Sequence, residues 1–204
     1  MSVVLVRHGE TDLAGTFCGQ LDPPLNERGR RQAAALAQEL AANRVAADRI
    51  AAIYTSDLRR ARETAEAIGE AIGVPVEVCE GLREIGFGAW EGLRWAEIEA
   101  QDPIRAADWL AAFPALPAPG GESVEAFEAR VLTAVERMLD TEKRPFALVS
   151  HGGVMRAVLR RMCGWPEQDS WEQTRDYASV VRLATLRPKP VLPDGPPARG
   201  AVTS

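Results

Sequence analysis

"SVVLVRHGET", residues 2–11, sets an apolar run against an abrupt polar end at Arg7, His8 and Gly9. A short continuous apolar run of this kind reads as a strand buried on both faces, as in a parallel sheet. "FALVSHGGVMR", residues 146–156, repeats the pattern: an apolar run ends in His151, followed by Gly152. The chain has 2 histidines, and both stand in this kind of place.

Around these two stretches, short β-rich runs alternate with longer helical patterns. Strands are expected at 3–7, 50–54, 75–78 and 145–149, with 179–184 as a candidate edge strand. Helices are expected near 27–43, 57–72, 94–112 with a break near Pro103, 122–139 and 153–163. Leu58, Ala61, Ala65, Ile68 and Ile72 are spaced three and four apart, which gives the second helix an apolar stripe. Gly73 and Pro75 then end it. The alternation predicts an α/β three-layer sandwich, a mostly parallel central sheet with helices on both faces.

The chain has 204 residues, which predicts one domain, residues 1–186, ample to bury a core. The Pro- and Gly-rich stretch 113–123 reads as a loop inside that domain. The tail 187–204, "RPKPVLPDGPPARGAVTS", lacks periodicity and is expected to be loosely ordered. A net charge of −5 argues against a general nucleic-acid or anionic-membrane binder, so any bound anion needs a local positive site. Cys18, Cys79 and Cys163 lie far apart and indicate neither a disulfide framework nor a zinc knuckle. Arg7 interrupts the first apolar run, so no secretory signal is read there, and no stretch approaches membrane-spanning length. The default compartment is a reducing cytoplasm.

In open α/β sheets, ligands bind beyond the carboxyl ends of the strands. Both histidines fall at such ends, and a glycine beside each lets backbone come close to a ligand. The helix after His151 could offer its N-terminal N–H groups to an anion. Taken singly, each histidine reads as a hydrogen-bonded structural residue. Two in equivalent places shift the balance towards a shared site. A zinc site falls short on ligand count, because no Cys pair or carboxylate cluster accompanies them.

"LVRHGET" at 5–11 resembles the signature of the histidine phosphatase superfamily, the phosphoglycerate-mutase-like proteins. "CGQLDPPLNERGRRQA" (18–33), "YTSDLRRARETA" (54–65), "LREIGFGAWEG" (82–92), "PGGES" (119–123) and "LVSHGG" (148–153) follow in the family's order. The resemblance implies that His8 attacks phosphorus and becomes phosphohistidine, as a neutral imidazole of ordinary pKa ~6.5 can. It implies Glu84 as the acid that protonates the leaving alkoxide and the base that then activates water. Phe87 and Trp90 are candidates for an apolar setting that would raise its pKa. It also implies a phosphate pocket of Arg7, Arg60 and protonated His151, needing no metal or cofactor. Arginine suits such a pocket because its fork pairs with two phosphate oxygens.

Arg60 lies opposite the apolar stripe in "RRAR", where a charge ordinarily faces solvent, and Arg59 is the next candidate. Gly152, Gly19 and Gln20 are further substrate-binding candidates. Glu10 and Thr11 are expected to support their loop, and Ser123, beside Glu122, reads as a helix cap. Cys18 is either a small filler or an oxidisable thiol. Trp90, Trp95 and Trp109 form either a substrate-facing wall or ordinary core.

Family members commonly carry Asn where this chain has Ala14, so the pocket departs in detail. "FGAWEG" differs from the corresponding block of cofactor-dependent mutases and is similar to that of alpha-ribazole and broad-specificity phosphatases. The resemblance therefore implies a phosphomonoesterase acting on a small-molecule phosphate ester, alpha-ribazole 5′-phosphate among the candidates. A phosphoglycerate mutase and a non-catalytic phosphate-binding module are the alternatives. A homodimer is implied by the resemblance alone.

Overall fold

The computed structural model describes residues 1–42 and 50–186. The expected tail at 187–204 and the last residue of the helix expected at 27–43 lie outside the described residues.

Five strands form one sheet in the order β3-β2-β4-β1-β5. They are β1 (Val3–Arg7), β2 (Ala52–Thr55), β3 (Val76–Val78), β4 (Phe146–Ser150) and β5 (Val180–Leu183). The pairs β1–β4, β2–β4 and β2–β3 are parallel, and β5 runs antiparallel along β1 as the edge strand. All five expected strands are present, shifted by at most a residue or two at their ends.

Because strand side chains alternate between faces, the apolar runs supply two cores at once. Val3, Leu5, Tyr54, Phe146 and Leu148 face α5 (Val124–Thr141) and α6 (Gly152–Ala157). Val4, Val6, Ile53, Ala147 and Val149 face α1 (Glu27–Ala42) and α2 (Arg59–Ile72). The three-layer α/β sandwich is therefore the observed architecture. Each buried Val or Leu of β1 contributes about 1.5–3 kcal/mol of transfer free energy, which is why β1 and β4 are apolar up to Val6 and Val149.

The helix expected at 94–112 is two helices, α3 (Trp95–Gln101) and α4 (Pro103–Ala112). Asp102 separates them, and its carboxylate accepts from Arg105 N to start α4, with Pro103 in the first turn. α6 runs on into a π-helical turn, Val158–Met162. The short α7 (Glu167–Thr174) was not expected from the sequence. Its eight residues carry no apolar stripe, and its buried positions are Ser170 and Thr174.

The loop after β1 is seated by backbone contact. Glu10 and α1 approach so closely at Gly29 that a Cβ there would overlap the Glu10 carbonyl oxygen and lie 2.7 Å from its nitrogen. Neither atom is the free end of a side chain, so relief requires a backbone shift. Gly29→Ala is expected to destabilise the protein by about 1–3 kcal/mol, read as a lower denaturant midpoint with an unchanged m-value.

Candidate active site

The register of β1 on β4 ends with Arg7 opposite Ser150. One residue further, His8 N donates to Ser150 O at 2.9 Å, and His8 and His151 emerge side by side. Their rings meet edge to face with centroids 5.1 Å apart. The shared site anticipated from two similar strand ends is thus a consequence of parallel pairing in register.

His8 Nδ1 lies 2.6 Å from Gly9 O. A carbonyl only accepts, so Nδ1 carries the proton and Nε2 keeps its lone pair. Burial holds the His8 pKa well below the ordinary 6.5, and the Arg60 and Arg7 charges push the same way. His8 is therefore the neutral tautomer with Nε2 available, the form a nucleophile needs.

Arg60 is 1% exposed, and the solvent-facing alternative for it is excluded. Its Nε donates to His8 Nε2 at 3.2 Å, while its other nitrogens donate to Leu21 O at 2.6 Å and Gly19 O at 2.7 Å. Arg59 instead has a half-exposed side chain that pairs with Glu63. Arg7 donates to the carbonyls of Thr174 and Arg175 and lies 4.4 Å from the Tyr177 ring centroid. Its Nε is buried without a partner among the described residues.

His151 is fully buried, and neither ring nitrogen has a hydrogen-bond partner among the described residues. Burial is the main force lowering its pKa well below 6.5, followed by the charge of Arg60. The expected protonated His151 is thus corrected for the free protein: surrounded by arginines and out of water, it is neutral.

Glu84 sits on the opposite side of the site. Its Oε2 accepts from Gly153 N, the second residue of α6, at 3.0 Å, and its Oε1 accepts from Ile85 N at 3.0 Å. The N–H groups expected to meet a substrate anion are partly taken by this carboxylate. Phe87 and Trp90, expected around Glu84, belong to an aromatic cluster with Phe17.

Gly19 contributes its carbonyl to Arg60, and Gln20 donates its side-chain amide to Glu84 O at 3.3 Å. Both hold other site residues in place. Gly152 lies between guanidinium groups: a Cβ there would be 3.1 Å from Arg156 and 3.5 Å from Arg7. Ser123 caps α5, accepting from Ala126 N at 3.1 Å, and Glu122 pairs with Arg130. Glu10 and Thr11 support their loop: Glu10 bonds Gln32 and Asn26, and Thr11 Oγ1 accepts from Leu13 N. Burial raises the Cys18 thiol's pKa, which favours the filler role over a reactive thiolate.

Three residues were not singled out in the sequence. Arg130 donates to the carbonyls of Gly81, Arg83 and Glu84 and pins the loop that carries Glu84. Glu91 accepts from Gln20 N at 2.8 Å and Phe87 N at 3.1 Å, tying the second and fourth motif blocks together. Tyr177 stacks between Arg7 and His8, 5.6 Å from the His8 ring. No spacing rule marks any of them.

The model of the histidine phosphatase superfamily (branch 1) matches residues 3–193. The chain belongs to this superfamily. It is 36% identical over 194 residues to a glucosyl-3-phosphoglycerate phosphatase of Mycolicibacterium vanbaalenii, covering 89% of this chain and 83% of that one. Among solved structures, the alpha-ribazole phosphatase from Shigella flexneri superposes with a TM-score of 0.78 at 27% identity, covering 89% of each chain. A phosphoglycerate mutase from Thermus thermophilus superposes with a TM-score of 0.65 at 38% identity, covering 90% of this chain and 93% of that one. As a histidine phosphatase the chain is an enzyme of phosphoryl chemistry.

Two outcomes follow from this geometry. A Cβ on Gly153 would overlap the Glu84 carboxylate, which is the free end of a side chain and can swing away. Gly153→Ala is therefore expected to keep the fold but lower kcat/KM roughly 100-fold, the scale of a displaced general acid, with little change in Tm.

The neutral histidine pair also sets an acid sensitivity. Below 6.5 the unfolded chain binds protons at His8 and His151 that the folded chain does not. Their contribution to stability is at its plateau above that value and declines as pH falls towards the lower folded values. Urea midpoints measured from pH 7.5 to 5 should fall on the acid side, with a shallower slope in the His8→Gln/His151→Gln double variant.

Proposed function

We propose that the protein is a metal-independent phosphomonoesterase acting through phospho-His8. The observation that carries this reading is the unprotonated Nε2 of His8, which accepts from Arg60 and lies among Arg7 and the unpartnered nitrogens of His151. Among the described residues, no three His, Cys, Asp or Glu side chains converge as a metal site.

In this reading the phosphate oxygens take the place of His8 as partner of Arg60 Nε and meet Arg7 and His151. His8 Nε2 forms a bond to phosphorus as the ester P–O bond breaks. The electron pair leaves on the alcohol oxygen, which takes a proton from Glu84. Glu84, now a carboxylate, draws a proton from a water that attacks phosphorus. The P–N bond breaks, its pair returns to Nε2, and inorganic phosphate departs. Arg7 and Arg60 stabilise the charge on the equatorial oxygens throughout. As the phosphate dianion approaches, it favours a proton on His151, so binding takes up a proton.

The form of the "FGAWEG" block supports hydrolysis over mutase action, and the relation to a glucosyl-3-phosphoglycerate phosphatase and an alpha-ribazole phosphatase supports a small-molecule substrate. The 38% identical phosphoglycerate mutase keeps transfer back to an acceptor as the second reading.

The test is phosphate release in EDTA from alpha-ribazole 5′-phosphate, glucosyl-3-phosphoglycerate and 3-phosphoglycerate. The wild type should release phosphate from at least one, His8→Ala should fall to background, and rapid quenching should trap a phosphoryl adduct on His8. Isomerisation of 3-phosphoglycerate in the presence of the bisphosphate primer, without net release, would establish the mutase reading instead.

A further inference from the structure

Beyond the phosphate cradle, on the Glu84 side, lies a cavity of about 540 Å³. Ile85 and Gly153, which flank the Glu84 carboxylate, form its inner wall. A general acid must lie against the leaving oxygen, so an alcohol protonated by Glu84 extends into this space. Its wall is aromatic: Phe17, Phe87, Trp95, Trp109, Phe113 and Trp171. The first four pack edge-on or tilted with ring centroids up to 6.3 Å apart. Phe113 is 50% exposed and Trp171 49%, so these two stand at the mouth.

Four charged groups also reach this cavity, and three are spoken for. Arg160 pairs with Glu167 at 3.6 Å, and Glu128 pairs with Arg161 at 2.8 Å. Arg156 differs. Its guanidinium stacks on Trp171 at 4.9 Å and forms no salt bridge among the described residues, although the charges of Glu84 and Glu167 reach it. Burial is the main force lowering its pKa and the charges of Glu84 and Glu167 only partly offset it, so a further anion in direct contact would be favoured. It also lies next to the phosphate cradle, since the Cβ position of Gly152 is 3.1 Å from its Nη1 and 3.5 Å from Arg7 Cζ.

Resting on the hydrolase reading above, we infer that this site selects a phosphate monoester whose alcohol carries a carboxylate beside the ester carbon and a ring or other flat apolar body beyond it. Arg156 receives the carboxylate. The aromatic wall receives the body. The short reach from Arg156 to the cradle requires the second anion to sit close to the ester oxygen, which selects an O-phospho-2-hydroxycarboxylate over a long-chain diacid. The stack on Trp171 keeps the guanidinium plane fixed before substrate arrives, which limits the entropy lost on binding.

Four probes separate the two elements. Ethyl phosphate has neither, O-phospholactate adds the carboxylate, benzyl phosphate adds the ring, and O-phosphomandelate has both. In the wild type, kcat/KM should rise about 10-fold or more on adding the carboxylate to either parent, the scale of one charge-assisted hydrogen-bonded pair. In Arg156→Gln that ratio should fall to near one while the benzyl-to-ethyl ratio persists, and Arg156→Lys should recover part of it. Trp109→Ala should lower the ring ratio instead. A uniform loss over all four probes in Arg156→Gln would place Arg156 in the phosphate cradle and overturn the inference, as would a wild-type carboxylate ratio near one. Phosphate release from none of the four while one of the three esters tested above is still hydrolysed would overturn this inference alone; release from none of the seven, without a trapped His8 adduct, would overturn the hydrolase reading and this inference with it.

Discussion

The parallel ladder between β1 and β4 determines the site, because its register runs from Val3–Phe146 to Arg7–Ser150 without a bulge. A one-residue slip would move every side chain to the other face. Val3 and Leu5 would exchange cores with Val4 and Val6, and His8 would lose its place beside His151. The apolar alternation that buries both strands is therefore the same constraint that sets the two imidazoles 5.1 Å apart. Core packing and catalytic geometry are not separable here. β1 and β4 are apolar up to Val6 and Val149, and the polar groups begin with the last ladder pair, Arg7 and Ser150, with the histidines directly after it.

The arginines divide by what holds them. Arg83 is held by Asp57, and Arg130 by Glu122, and each pair cancels its own charge while organising a loop. Arg60 and Arg7 are fixed by main-chain carbonyls, those of Gly19 and Leu21 and those of Thr174 and Arg175. A carbonyl dipole orients a guanidinium without neutralising it. The two cations thus remain available to an incoming dianion in a region from which water is largely excluded, where such charge acts most strongly. This reconciles a chain of net charge −5 with an anion site. It also bears on the histidines: burial first, and the unneutralised arginines after it, hold both rings well below their ordinary pKa.

How far the site can be read from the sequence depends on the physical range of each signal. His8 and His151 are legible because strand ends and glycines are local features. Arg60 is less so, since its face of the helix ordinarily meets solvent; its place in the first turn and the motif resemblance selected it, and two loop carbonyls from residues 19 and 21 complete its burial. α7 escaped because it is short and polar, and its role is to place the Thr174 and Arg175 carbonyls against Arg7. Arg130 and Glu91 act across gaps of 46 and 71 residues on the backbone of the Glu84 region and the Gln20 loop. Periodicity carries no information at that separation. The tryptophans were legible as a group but not in role, and the fold separates them: Trp90 is buried in its cluster, while Trp95 and Trp109 line the cavity.

The position of Glu84 links chemistry to selectivity. Its carboxylate is held at the start of α6 through Gly153, and its main chain is clamped by Arg130 and Gln20. Gly153 and Arg130 belong to α6 and α5, which pack on the sheet, so Glu84 is tied to the same framework as the histidines. The helices α3 and α4, by contrast, lie outside the sheet sandwich and pack through their own aromatic cluster. Changes in α3 and α4 can therefore reshape the aromatic cavity without moving His8, the arginines or Glu84. An arrangement of this kind separates the energetic demand of phosphoryl transfer, which every substrate shares, from recognition of the leaving group, which differs among them. Arg156 lies at that boundary: it belongs by chain position to the rigid α6 and by contact to the aromatic wall at Trp171.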